Sequence, residues 1–494
     1  MIELLTPKQM GAADRHTIDA GTPGITLMDA AGAAVVDCVG EQFQDAEKLL
    51  IVCGTGNNGG DGFVAARLLH EQGLLAQILI CGDPSKIAGD AALAYEALDK
   101  TCLLDRVPDT EGYDLIIDAL IGAGLEREVT GAFADIIQVI NAADCPVLAV
   151  DLPSGIDGRT GKAMGAAVEA TATVTFFRYK PGHILLPGRS YCGSQHLYQI
   201  GIEEPALIAS GVEAHLNTPD LWEDALPVPG LAGHKYNRGH TLVVSGPPHA
   251  TGAARLVAGA ALRAGSGLVT LATSSEALPI NAAHLTAIML KVTDSVDDIA
   301  HLLKDRRFNC LALGPGLEPD EQTRSLTLKL LSFCRQTILD AGALTAFSET
   351  PELLFAAIGS ATQETILTPH TGEFVRLFHE HAVHASKIDR AKSAARQSGA
   401  VIVLKGPDTV IASPDGRAAV SDNGPPWLAT AGSGDVLAGV VAGLAAQGMP
   451  AFEAACAAVW LHGDAARRTG PGLISTDLDE GLRQSIAAIF GAGD

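Results

Sequence analysis

Short apolar runs at residues 49–53, 76–81, 114–120 and 146–150 alternate along this chain with stretches of helical character, and glycine or aspartate punctuates their ends. Strands separated by helices pair in parallel, because each crossover returns the chain to the same end of the sheet, and such sheets are covered on both faces. The rhythm predicts helices at 6–19, 26–43, 62–72 and 131–142, with Thr6 as cap and Pro7 in the first turn. Residues 172–202 read as irregular strands and loops. The stretch 216–230 breaks the alternation with three prolines and three acidic residues. It reads as a linker, 216–229, between domains at 1–215 and 230–494, as suits a chain of 494 residues. Strands follow at 241–245, 268–272, 310–313, 337–339, 365–367 and 401–404. A hairpin, 410–412 and 418–420, flanks Ser-Pro-Asp-Gly, and helices cover 435–446 and the region of Trp460 and His462. The fold class is α/β in two domains.

Charge narrows the ligands. A formal net charge of −23 excludes nucleic acid and anionic membrane surfaces as partners. A phosphorylated small molecule stays open, because loop amides supply positive potential locally. The longest apolar stretch, 436–446, is too short to span a bilayer, and the N-terminus lacks a basic stretch leading into an apolar one. A soluble cytoplasmic protein is expected. The nine cysteines are scattered without a C-x-x-C pair, which suits buried thiols in a reducing compartment. His379, His381 and His384 beside Glu380 read as an exposed helix end or loop, not a metal site.

Three motifs fall at strand ends in the first half. Gly54-Thr-Gly56-Asn-Asn-Gly59 matches G-x-G-x-x-G between a strand and a helix, the mark of a Rossmann-like doubly wound sheet. The usual acidic partner for a ribose is poorly placed, Asp83 being the sole candidate and late, so an ordinary dehydrogenase is not supported. Asp118 leads into Gly122-Ala123-Gly124, and Asp151 into Pro153-Ser154-Gly155. In a parallel sheet these ends share one edge, where ligands bind, so Asn57, Asn58, Asp61, Asp118, Asp151 and Ser154 converge there.

The second half carries Ala429-Thr-Ala431-Gly-Ser-Gly434-Asp435-Val-Leu-Ala-Gly439, small residues leading into a helix with a carboxylate in its first turn. Amides from Ala431 to Gly434 face a developing anion, and Asp435 takes a proton from a hydroxyl. Gly314-Pro-Gly316, Thr368-Pro-His370-Thr-Gly-Glu-Phe374 and Lys405-Gly-Pro-Asp-Thr409 also follow strands.

Together these motifs resemble the NAD(P)H-hydrate repair family, in which an epimerase domain is fused to an ADP-dependent dehydratase domain of ribokinase-like fold. The resemblance covers 1–214 and 230 to the C-terminus. It implies that the R and S hydrates of NADH and NADPH are interconverted by the first domain, and that the second dehydrates the S epimer with ADP, giving NAD(P)H, AMP and phosphate. It implies that Asn57, Asn58, Gly59, Gly60 and Asp61, with Gly122, Ala123, Gly124, Leu125, Glu126, Arg127 and Glu128, hold the substrate. Asn58, Asp118 and Ser154 would ligate a potassium ion with hard oxygens, and Asp151 would be the acid/base. Ala253, Gly316, His370 and Asp435 would meet the hydrate in the second domain. Lys405, Gly406, Pro407, Asp408, Thr409 and Gly434 would bind ADP, with Mg2+ accompanying the nucleotide. A homo-oligomer is expected. Two departures stand out: Asp340-Ala-Gly342-Ala-Leu344 where the family shows Asp-Ala-Asp-Ala-Leu, and Asn423-Gly-Pro-Pro-Trp427 where Asn-Pro-Gly is common. The rival readings are a ribokinase-like small-molecule kinase fused to a nucleotide-binding module, and a nucleotide sensor without catalysis. The segment 368–374 resembles the dehydratase branch instead.

Overall fold

The computed structural model describes residues 1–228, 230, 233–333 and 335–491. It divides into two units, Glu3–Glu213 and Met1–Ile2 with Ala214–Asp494.

The short strand β1 (Ile2–Leu4) ends at Leu4, which bridges Tyr179. Then come β2 (Lys48–Cys53), β3 (Leu75–Ile80), β4 (Leu115–Ala119), β5 (Val147–Val150), β6 (Ala172–Phe176) and β7 (Ser194–Tyr198). They form a sheet in the order β3-β2-β4-β5-β6-β7, parallel throughout. The chain moves outward from β2 to β3 and then restarts on the other side at β4. The carboxyl ends of β2 and β4 therefore flank a switch point, where a crevice opens. Helix Pro7–Asp19 starts on a capping box in which Thr6 and Gln9 satisfy each other's backbone N–H groups.

Two expectations change here. Helix Asn57–Glu71 begins at Asn57, not at residue 62. Asparagine and glycine disfavour helix, but packing overrides propensity. A Cβ on Gly59 would strike the Gly54 carbonyl, and one on Gly62 would lie 2.7 Å from Cys53 Sγ. The glycines thus let the first turns of the helix lie against the end of β2. Residues 172–202, read as irregular, contain β6 and β7. Every residue of β6 is buried; Thr173 Oγ1 donates to the Cys192 carbonyl (2.7 Å), which makes a polar strand residue tolerable inside.

The second unit holds β8 (Ala214–Leu216), β9 (His240–Val244), β10 (Leu268–Thr273), β11 (Met289–Val292), β12 (Cys310–Leu313), β13 (Gln336–Leu339), β14 (Thr365–Leu367), β15 (Val401–Leu404), β16 (Val410–Ala412) and β17 (Ala418–Val420). Their order is β8-β17-β16-β15-β14-β13-β12-β9-β10-β11. Pairing is parallel except in β15–β16 and β16–β17. Again a switch point appears, between β9 and β12. Helix Ser433–Ala446 is buried from Val436 to Ala446 in the core of this unit. That is where the longest apolar stretch goes, and among the described residues no helix is long and apolar enough to cross a membrane.

The stretch 216–229 is not free chain where it is described. Trp222 is 1% exposed in the core of the second unit, its ring 5.8 Å from that of Trp460. His381 and His384 stack at 5.8 Å, and no cluster of three or more His, Cys, Asp or Glu among the described residues is arranged to hold a metal.

Candidate active sites

In the first unit a cavity of about 870 Å³ opens at the β2/β4 switch point. It is lined by Asn57, Asn58, Asp61, Gly122 to Arg127 and Asp151, together with Asp14 and Lys180. Gly59 and Gly60 lie buried in the helix turn, Gly60 against Met28, and Glu128 is exposed outside the lining. Asp83 instead caps a short 3-10 turn by accepting from Ser85 N (3.0 Å).

Asp151 follows β5 with φ 66°, a left-handed conformation that costs a non-glycine residue on the order of 1–3 kcal/mol. Its partners hold it there. Oδ1 accepts from Lys180 Nζ (2.5 Å) and Thr175 Oγ1 (3.2 Å), and Oδ2 from Ala123 N (3.0 Å). Burial raises the Asp151 pKa, but the Lys180 ammonium and these hydrogen bonds outweigh it and hold the carboxyl below its usual range. His183 donates from Nε2 to the Asp151 carbonyl (2.7 Å) while Nδ1 accepts from Lys180 N (3.0 Å). Burial pushes its pKa down to about 4, so the ring is neutral in this role. Asp61 behaves oppositely to Asp151: burial, then Asp151 and Asp14, raise its pKa well above the carboxylate range. Lys180, Thr175, His183 and Asp14 escaped the sequence reading. The alternating threonines of 172–176 were the one available signal.

Asp118 lies beneath the crevice at 0% exposure. It accepts from Ser154 N (2.8 Å), Ser154 Oγ (2.6 Å) and Leu120 N (3.2 Å). Burial pushes its pKa up to about 6 against those bonds. With its amide oriented to match its neighbours, Asn58 donates to the Val150 carbonyl (3.1 Å) and accepts from Gly122 N (3.3 Å). A Cβ on Gly122 would lie 2.8 Å from the Asn58 amide and 3.0 Å from Asp151 Oδ2, so Asn58 and Asp151 both close on the Gly122 turn. Hard oxygens around a buried carboxylate fit an alkali cation.

The second site follows the carboxyl ends of β9, β12, β13, β14 and β15. The missing Cβ of Gly316 points to within 3.5 Å of Ala253 Cβ. Asp340, 2% exposed, follows β13 and accepts from Lys405 Nζ (2.8 Å). His370 bridges Lys405 through the backbone and caps helix Thr371–Leu377, its Nδ1 accepting from Gly372 N (3.0 Å). A Cβ on Gly434 would meet Lys405 Nζ at 3.3 Å, which brings the first turn of helix Ser433–Ala446 over the same lysine. Burial works against the Lys405 ammonium, but Asp340, Glu373 and Asp435 raise its pKa. Asp435 is half-buried. Burial and Asp340 push its pKa up to about 6, and Lys405 partly counters them. The helix amides alone would lower it; burial and a second carboxylate win.

Of the amide turn 431–434, Ser433 N already donates to the Thr430 carbonyl (3.3 Å). In the loop 405–409, Asp408 accepts from Lys387 Nζ (2.5 Å), and Thr409 Oγ1 donates to the Gly406 carbonyl (2.7 Å). Both side chains are buried and shape the loop. The departure at Gly342 also has a cause: a Cβ there would collide with the Leu317 carbonyl. Gly342→Asp, restoring the family's carboxylate, is therefore expected to lower stability by about 1–3 kcal/mol. Denaturant melts of the full chain test this; an unchanged midpoint would mean that the 314–317 loop yields freely.

Comparison with known proteins agrees with this division. Residues 24–182 match the family described as YjeF-related protein N-terminus, and 241–477 the family described as NAD(P)H-hydrate dehydratase. The chain is 37% identical to the bifunctional NAD(P)H-hydrate repair enzyme of Moorella thermoacetica, covering 94% of this chain and 93% of that one. It is 34% identical to the Coxiella burnetii enzyme of the same description, covering 98% and 99%. Among solved structures, the ADP/ATP-dependent NAD(P)H-hydrate dehydratase of Bacillus subtilis, co-crystallised with ATP/Mg2+, superposes with a TM-score of 0.50 at 29% identity, covering 56% of this chain and 98% of that chain. With two sites on two units, and similarity running through both, the chain belongs to the family of bifunctional NAD(P)H-hydrate repair enzymes.

Proposed function

We propose that this protein returns hydrated NADH and NADPH to their active forms, the first unit epimerising the R and S hydrates and the second dehydrating the S epimer. The observation that carries the reading is the pair of carboxylate-centred sites, Asp151 with Lys180 and Asp435 with Lys405, one in each unit.

In the second unit Asp435 takes the proton of the C6 hydroxyl as its oxygen attacks the β-phosphorus of ADP, and AMP departs. Lys405 and the amides of Ala431, Gly432 and Gly434 meet the charge on the phosphoryl group in transfer. Phosphate then leaves C6, driven by the ring-nitrogen lone pair, and loss of a C5 proton restores the C5–C6 double bond. ADP enters as its Mg2+ complex, held by the 405–409 loop and Gly434, with Ala253, Gly316 and His370 against the hydrate. In the first unit Asp151 acts as acid/base on the ring. Asn57, Asn58, Asp61 and residues 122–127 of the loop after β4 receive the phosphates and ribose. The Asn58, Asp118 and Ser154 oxygens suit a potassium ion, which would supply positive charge beside the substrate phosphates. The reading is that of a cytoplasmic homo-oligomer.

The test is direct. The purified chain is incubated with hydrated NADH and Mg-ADP. Recovery of dihydronicotinamide absorbance, matched by AMP and phosphate release, is expected; nucleotide turnover without that recovery would favour a small-molecule kinase. Parallel reactions with Mg-ATP define the nucleotide preference. Exchanging potassium for a bulky organic cation is expected to weaken hydrate binding to the first unit. Unchanged affinity and melting temperature would remove the cation from the account.

A further inference from the structure

Inverting C6 requires its hydroxyl to leave one face of the ring and return on the other. One carboxylate at one strand end serves one face. The first unit supplies a further candidate from a different wall. Asp14 sits on helix Pro7–Asp19 and lines the same cavity as Asp151, Asp61 and Lys180. It belongs to no motif of the sequence reading.

We propose that Asp14 is the second acid–base group of the epimerase site, working on the hydrate in partnership with Asp151. The inference rests on the epimerase reading of this unit. Asp14 gives its proton to the C6 hydroxyl. The C6–O bond breaks, water leaves with its electron pair, and the ring-nitrogen lone pair forms a C6=N1 double bond. Water then adds to the opposite face and loses a proton to Asp151. The reverse epimer uses the same groups in exchanged roles, and solvent protons reset them through the open cavity.

The charges facing Asp14 suit the division of labour. Lys180, from the segment after β6, is bound to Asp151 and keeps it ionised. Asp151, from the end of β5, opposes a further negative charge on Asp14, while Arg15 on its own helix favours one; Asp61, from helix Asn57–Glu71, has its own carboxyl pushed well above the usual range by burial and by these two carboxylates. Burial first, then Asp151, push the Asp14 pKa up to about 6 against Lys180 and Arg15. Lys180 holds Asp151 in its ionised form while burial and Asp151 drive Asp14 toward its protonated form, and groups whose pKa values are driven apart divide into acid and base.

The test uses the full chain without nucleotide, so that only epimerisation proceeds, followed by chiral separation of the hydrates across pH. Asp14→Asn is expected to slow interconversion by about 10²-fold or more. Hydrate affinity and melting temperature are expected to stay unchanged, and Asp14→Glu to restore part of the rate. The wild-type rate is expected to fall above about pH 6 as Asp14 loses its proton, and that limb to be missing in Asp14→Asn. A wild-type rate and pH profile in Asp14→Asn overturns the inference alone. A wild-type chain that does not interconvert the hydrates overturns the epimerase reading beneath it.

Discussion

Asp435→Asn is expected to slow dehydration by about 10²–10⁴-fold, the range for loss of a general base. The substitution keeps size and polarity in the first turn of helix Ser433–Ala446 and removes only the proton acceptor. Nucleotide affinity is expected to hold, because Lys405 and the 405–409 loop are untouched and Lys405 keeps Asp340 (2.8 Å). Epimerisation is expected to hold because it belongs to the other unit. A pKa pushed up to about 6 adds a pH signature. The base works when ionised, so the wild-type rate rises through about pH 6 and levels off above it, and the acid limb disappears in the variant. A variant that dehydrates at near the wild-type rate would remove Asp435 from the chemistry.

Asp151→Asn is expected to abolish epimerisation, again by about 10²–10⁴-fold, while the S hydrate is still dehydrated. The backbone there has φ 66°, which asparagine adopts more readily than most residues, so the strand end keeps its shape. The amide retains an oxygen for Ala123 N or Lys180 Nζ, and Asp14 remains near the lysine to balance its charge. Loss of rate with an unchanged melt separates chemistry from folding. Unaltered interconversion would assign the acid/base role elsewhere in the cavity.

What the sequence made legible was the frame. Strand ends punctuated by aspartate and glycine pointed to Asp118, Asp151 and Ser154, and the structure brings Ser154 against Asp118, which accepts from both its N–H and its hydroxyl. Lys405 and His370 lie in motifs that follow local strands, and Asp435 in a small-residue turn that opens a local helix. What escaped were groups brought in by tertiary structure. Lys180 reaches Asp151 because β6 lies beside β5, and Asp14 enters on a helix far from any glycine motif. Residues 172–202, read as irregular strands and loops, hold two regular strands, β6 and β7, whose pairing with β5 and with each other is tertiary and not carried by the local sequence. The helix start at Asn57 was missed because propensity speaks against glycine, whereas the close approach of Gly59 to Gly54 demands it.

The central claim is two independent sites, one in each unit, acting in series on a freely released hydrate. One time course tests it: pure R hydrate of NADH with Mg-ADP and an equal mixture of the Asp151→Asn and Asp435→Asn chains, over an interval short against uncatalysed interconversion. Each variant alone is predicted to yield almost no NADH. The mixture is predicted to recover it, because Asp435→Asn supplies the S hydrate and Asp151→Asn dehydrates it. A mixture that stays inactive, or a single variant that converts the R hydrate by itself, would contradict the division of labour.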